Sequence, residues 1–147
     1  MSANFAAPAA DLAGRPYDDA GKLLLRVSVG LLMLLHGVFK IDSGVGFIAG
    51  MLQGAGLPGA LAYLAYVGEL LAPALMIIGL WTRPAALLVA VNMVVAIALV
   101  HMGQLFSLTK QGGWALELQG LFLFGALAVA LLGAGRYSVA GTRGRYN

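Results

Sequence analysis

Four long apolar runs, separated by short polar or glycine-rich stretches, make up most of this chain. They cover Lys22 to Lys40, Gly59 to Leu80, Ala85 to Met102 and Trp114 to Leu132. Each is about 18 residues or longer, roughly 27 Å as α-helix, close to the hydrocarbon thickness of a bilayer. The second run contains Pro73, which a membrane helix tolerates when its neighbours satisfy the carbonyl that proline frees. Trp81-Thr82-Arg83-Pro84 makes an abrupt turn, with Pro84 suited to the first turn of the next helix. Asp42 to Pro58 is glycine-rich and too short to span, yet Phe47, Ile48, Met51, Leu52 and Ala55 recur at helical spacing. That spacing predicts a short amphipathic helix between the first and second spans. Gly103 to Gly113 forms a second longer loop, and Gly133-Ala134-Gly135 ends the fourth run.

The pattern predicts an all-α integral membrane protein, a bundle of four transmembrane helices. Composition agrees: 61% of residues are hydrophobic and only 10% charged, against about 25% charged in soluble domains. Residues 1–21 read as a mobile, Ala-rich N-terminal tail with an interfacial piece around Tyr17, 22–138 as the four-helix domain, and 139–147 as a basic C-terminal tail. The first run does not read as a cleavable signal, because the segment before it carries Asp11, Asp18 and Asp19 and no small-residue cleavage site follows. Arg15, Lys22, Arg83, Arg136, Arg143 and Arg145 fall on one side of the spans, Lys40 and Lys110 on the other. Both termini are therefore expected in the cytoplasm, with the two longer loops outside. The net charge of +3 is a topology signal rather than a nucleic-acid patch. With no cysteine, thiol redox chemistry, thiolate metal sites and Cys-ligated clusters are excluded from this sequence, and no metal site is expected.

The informative residues are the few ionisable ones inside the runs, since each costs on the order of 2.5–3.5 kcal/mol at the centre of a membrane helix. Counting upward from the cytoplasmic boundary, Arg26 comes at roughly 6 Å, Asn92 at roughly 14 Å and Glu69 at roughly 18 Å. His36 follows at roughly 21 Å, Glu117 at roughly 24 Å, and Lys40 and His101 at roughly 27 Å. His36 and Lys40, four residues apart, share a helix face. Most of these groups gather in the outer half, the pattern of a polar pocket open to the outside. Glu69, His36 and Glu117 are the candidate proton- or ligand-handling groups; Arg26, Lys40, His101 and Asn92 are candidate ligand-binding groups, with Arg26 as buried counter-charge.

Each also has a structural reading. Glu69 can brace helix contacts as a neutral acid, and Arg26 can snorkel to lipid phosphates or pair with an acid. Lys40 and His101 can anchor at the interface, Glu117 suits the positive end of a helix, and Asn92 can join helices. Trp81, Trp114, Tyr17 and Tyr137 read as interface anchors, and Gly30, Gly37, Gly68, Gly79, Gly120 and Gly125 as close-packing positions.

The same residues carry a resemblance. Leu25-Arg26, Leu35-His36-Gly37-Val38-Phe39-Lys40, Gly56-Leu57-Pro58, Gly68-Glu69-Leu70, Gly79-Leu80-Trp81-Thr82-Arg83, His101, Gly112-Gly113, Glu117-Leu118 and Gly133-Ala134-Gly135-Arg136-Tyr137-Ser138 occur in order, and the chain resembles the DoxX family of small bacterial membrane proteins. The family often closes with Ser, an aliphatic residue and Asp; here Ala140 stands at the last position. The resemblance implies a four-helix bundle in the bacterial inner membrane. It also implies association with membrane oxidoreductase complexes and oxidative-stress or sulfur-compound oxidation, the family name coming from a subunit of a thiosulfate:quinone oxidoreductase.

Three functions fit these observations. The first is a quinone-docking or membrane-anchor component of a redox system. A bound quinone is then the ligand and no cofactor is intrinsic. A redox partner subunit supplies the electrons, because the chain has no Cys and no nucleotide loop beyond Gly54-Ala55-Gly56. The second is a binding or transport protein for a small lipophilic or anionic solute, which with no inverted repeat would need a homodimer. The third is an assembly partner whose polar groups hold helices and subunits together. Bis-histidine haem ligation by His36 and His101 is a minor variant of the first.

Overall fold

The structure, a computed structural model, describes residues 16–141, 144, 146 and 147. The described residues fold into helices: α1 (Pro16–Ser43), α2 (Gly46–Gly54), α3 (Gly59–Ile78), α4 (Thr82–Gln104) and α5 (Glu117–Leu132). Residues 1–15 of the expected tail lie outside the described residues, whereas Pro16 to Gly21 continue α1, which carries Asp18 and Asp19 in its first turn and Lys40 in its last. Carboxylates at the N-terminus and an ammonium at the C-terminus both complement the helix dipole.

Among the described residues three helices are long and apolar enough to cross a membrane: Tyr17–Ser43, Gly59–Ile78 and Thr82–Gln104. At 16 residues α5 is shorter, about 24 Å. It begins three residues later than its apolar run predicts because residues 107–115 fold back on themselves. Thr109 N–H donates to Gly113 O, Ala115 N–H to Ser107 O, and the Trp114 indole to Leu105 O. The expected amphipathic segment is present as α2, whose Leu52 packs with Val45, Ala62 and Ala65 beside the start of α3.

The main core lies between α1, α3, α4 and α5. Val29 and Met33 meet Ala72 and Met76, Ala85, Ala86, Val89, Ala90 and Met93 of α4, and Phe122, Ala126 and Val129 of α5. Small residues dominate this interface, as suits helices that pack without a hydrophobic driving force from water. Leu31, Leu35, Leu87, Val91, Leu121 and Leu131 point outward, an apolar exterior that a bilayer accepts and water does not.

α3 and α4 are not uniform. Val67–Leu71 and Ile97–His101 are π-helical. In α3 the cause lies in the sequence. Pro73 has no N–H and cannot complete the α-helical ladder back to the Glu69 carbonyl, and the Ala72 N–H reaches five residues back to Val67 O. The widened turn carries Glu69.

The two ends of the bundle are built differently. At one end two arginines cap helix C-termini. Arg26 Nη1 donates to Met76 O and Ile77 O at 2.7 Å each, and Nη2 donates to Tyr137 O. Arg83 Nη1 donates to Ala130 O and Leu131 O at 2.9 and 3.0 Å. The segment after α5 docks on this end: Val139 N–H donates to Ile78 O, and Asn147 Oδ1 accepts from the buried Thr82 hydroxyl at 2.7 Å. Asp19 accepts from the Arg136 N–H there, so the start of α1 and the end of α5 lie together. The other end, where α1 and α4 finish and α3 and α5 begin, holds the polar cavity.

Candidate functional site

Glu69 is 6% exposed and is the acid at the centre of the bundle. Its Oε2 pairs with the Lys40 ammonium, and its Oε1 accepts from Asn92 Nδ2 at 3.2 Å. Three helices therefore converge on one carboxylate. Lys40 is fixed in turn, because its carbonyl accepts from the Tyr66 hydroxyl at 2.9 Å. The helices approach this closely because glycines line the contact. A Cβ on Gly37 would collide with the Glu69 main chain, and a Cβ on Gly68 would fall 2.7 Å from the Asn92 side chain.

The Lys40–Glu69 pair forms one wall of a cavity of about 170 Å³. Met33, Met93, Ala96, Leu118 and Phe122 supply its apolar lining, and His36, His101 and Gln119 the remaining polar groups. His36 Nδ1 lies 2.9 Å from Leu32 O. A carbonyl only accepts, so Nδ1 carries a proton, and in the neutral ring Nε2 is then the acceptor. The ring stands edge-on to Phe122, 5.4 Å between centroids. His101 bridges α4 and α5: Nδ1 is 3.1 Å from Gln104 Oε1, and Nε2 is 3.2 Å from Gln119 Nε2.

Sequence depth thus brings together Glu69, His36, Lys40, His101 and Asn92, and the structure adds Gln119 and Tyr66. Arg26 does not join them. It is 1% exposed at the opposite end of the bundle, and its partners are main-chain carbonyls rather than a carboxylate; its Nε–H has no partner among the described residues. Helix-end carbonyls supply the negative charge that an acid was expected to supply. Glu117 does not join them either. It is exposed and lines a separate, mostly apolar groove with Trp114, Gly120, Leu121 and Phe124, because α5 starts at this residue with its side chain turned away from the cavity. Gln119, two positions on, is about 200° around the helix and faces the cavity instead. Its neutral amide carries no charge to single it out, although its depth, about 21 Å, matches that of His36.

Among the described residues no three His, Asp or Glu side chains are grouped to hold a metal ion. The His101 ring has both nitrogens engaged by glutamines. What the cavity offers is hydrogen-bond donors and acceptors of both signs against apolar walls, with one ammonium and one carboxylate for charge.

A family model described as DoxX matches residues 21–102, from the first turns of α1 to the end of α4. A protein of Bacillus subtilis (strain 168) named "Putative oxidoreductase CatD" is 34% identical to this chain over 84 residues, 57% of this chain and 62% of that relative. The chain therefore spans less than two thirds of that relative's length. No solved structure matches.

Proposed function

The chain belongs to the DoxX family of membrane proteins, and we propose that it is the quinone-docking membrane component of a redox system. The reading rests above all on one observation: a partly buried Lys–Glu pair lines a cavity whose other walls are Met33, Met93, Ala96, Leu118 and Phe122, with His36, His101 and Gln119 as the remaining polar groups. A flat, lipophilic ring with polar oxygens suits that combination of apolar walls and a few convergent polar groups. Lys40 would offset negative charge gathering on a ring oxygen, and Glu69 and His36 would exchange protons with it. Electrons come from a redox partner subunit, since this chain has no Cys to carry them. The oxidoreductase name of the Bacillus relative supports a redox setting.

In this reading α5 completes a four-span bundle in the bacterial inner membrane, with the Arg26 end in the cytoplasm and the cavity opening toward the outside. Lys22, Arg83 and Arg136 at the Arg26 end, against Lys40 and Lys110 at the other, support that orientation.

The test is photolabelling of the purified protein in lipid nanodiscs with an azido-benzoquinone. Label on Met33, Met93 or the Leu118–Phe122 stretch, displaced by unlabelled quinone, is the expected result. Label confined to outward residues such as Leu121 and Leu131, and not displaced, would overturn the reading.

A further inference from the structure

Gln119 is held in one orientation by His101, and the reason is chemical. Between two nitrogens 3.2 Å apart, one must donate and the other accept. The Gln119 amide nitrogen has only donor capacity, so His101 Nε2 is the acceptor and the ring proton sits on Nδ1, where it donates to Gln104 Oε1. With its nitrogen so engaged, the Gln119 amide has Oε1 as its other end, and Oε1 has no hydrogen-bond partner among the described residues. Gln119 lines the same cavity as Leu118, Phe122, Lys40 and Glu69.

We infer that Gln119 is a specificity-determining residue of the cavity, and that His101 sets which end of its amide the ligand meets. His101 in its neutral Nδ1–H tautomer, which the Gln104 and Gln119 contacts require, takes the amide nitrogen and leaves Oε1, an acceptor, for the ligand. Protonated His101 has no acceptor. Its Nε2–H then requires Oε1, and the amide turns over to present its NH₂ to the cavity. A quinone has two carbonyl acceptors and no donor, whereas its quinol has two hydroxyl donors. The neutral state therefore favours the quinol and the protonated state favours the quinone. This inference rests on the quinone reading of the cavity and adds to it a discrimination between the two redox states of the ligand.

Other charged groups face the same space. His36 and Lys40 come from α1 and Glu69 from α3, while α2 and the cavity face of α5 contribute no ionisable residue. His36 is the other imidazole on the cavity and the competing source of any pH effect, so the test must retain it.

The experiment measures the affinity of the nanodisc-embedded protein for a short-chain benzoquinone and, anaerobically, for its quinol, at about pH 5 and about pH 8, which bracket the imidazole range. In the wild type the preference for quinol over quinone should rise about tenfold from the acid to the alkaline condition, the scale of one hydrogen bond. Gln119→Leu should still bind both forms, with a ratio that no longer moves with pH. His101→Phe keeps His36 and removes the ring nitrogens, and it should behave the same way even if Gln119→Leu folds poorly. A wild-type ratio equal at both pH values, or a pH dependence that survives His101→Phe, would overturn this inference and leave the quinone reading standing. Failure of the wild type to bind either form would overturn both.

Discussion

The Lys40 ammonium donates to Glu69 Oε2 across the gap between α1 and α3, with the Glu69 side chain 8% and the Lys40 side chain 23% exposed. The carboxylate is the buried partner, and it depends on the ammonium for its charge. Lys40→Met should therefore destabilise the protein by about 3–5 kcal/mol if Glu69 keeps its charge, because a buried carboxylate is left uncompensated. Adding Glu69→Leu to Lys40→Met removes the orphan charge and should restore most of that loss. Thermal unfolding of the three variants in one detergent checks it. A double variant as weak as the single would show that the loss came from packing instead.

Arg26→Lys should lower stability by about 1–3 kcal/mol, the scale of hydrogen bonds to a charged group. A lysine ammonium is a point charge and cannot reproduce the planar fork that reaches Met76, Ile77 and Tyr137 together. Ligand binding should be unaffected once the variant is folded, because Arg26 lies at the other end of the bundle. A thermal-shift comparison with the wild type is sufficient, and a silent substitution would mean that charge alone matters there.

Gly37→Ala should cost about 1–3 kcal/mol by overpacking, since the new methyl group would collide with the main chain at Glu69. Gly50→Ala in α2 is the control. It meets nothing within 4 Å, and the gain in helix propensity should leave it neutral or stabilised by up to about 1 kcal/mol. Detergent unfolding of both decides whether close approach or glycine content is what matters.

The sequence has no cysteine, which permits single-cysteine labelling for topology. Gln111→Cys, in the loop before α5, should react with an impermeant maleimide in intact cells. Val139→Cys, exposed beside the Arg26 end, should react only after the cells are opened. The reverse pattern would invert the proposed orientation.

What the sequence made legible is the coordinate along each helix. Apolar runs of bilayer length locate α1, α3 and α4, and the rise per residue puts Glu69, His36, Lys40 and His101 from the middle to the outer end of the bundle, where the cavity is found, with Asn92 just below, bonded to Glu69. Rotation about each helix axis was not legible. Glu117 and Gln119 share a level, yet only Gln119 faces the cavity, because the phase of α5 is set by the fold-back of residues 107–115 and by Phe122 packing into the core. Arg26 was misleading for a related reason: charge counting looks for an acid, whereas its partners are carbonyls at the end of α3, which no residue type announces. The π-helical turn at Glu69 was foreshadowed by Pro73, four residues on, but only as a freed carbonyl and not as a widened turn.

The central claim is that the Lys40–Glu69 cavity holds a quinone, and its most direct test is to see what the protein carries from the membrane. The protein is purified in native lipid, extracted and assayed by mass spectrometry for retained quinone per protein. It is compared with Glu69→Gln and with Ala96→Phe, which fills the cavity with a ring of its own. The account predicts quinone retained by the wild type and lost from both variants while each remains folded. Quinone equally abundant in all three, or absent from the wild type with its native lipid intact, would contradict it.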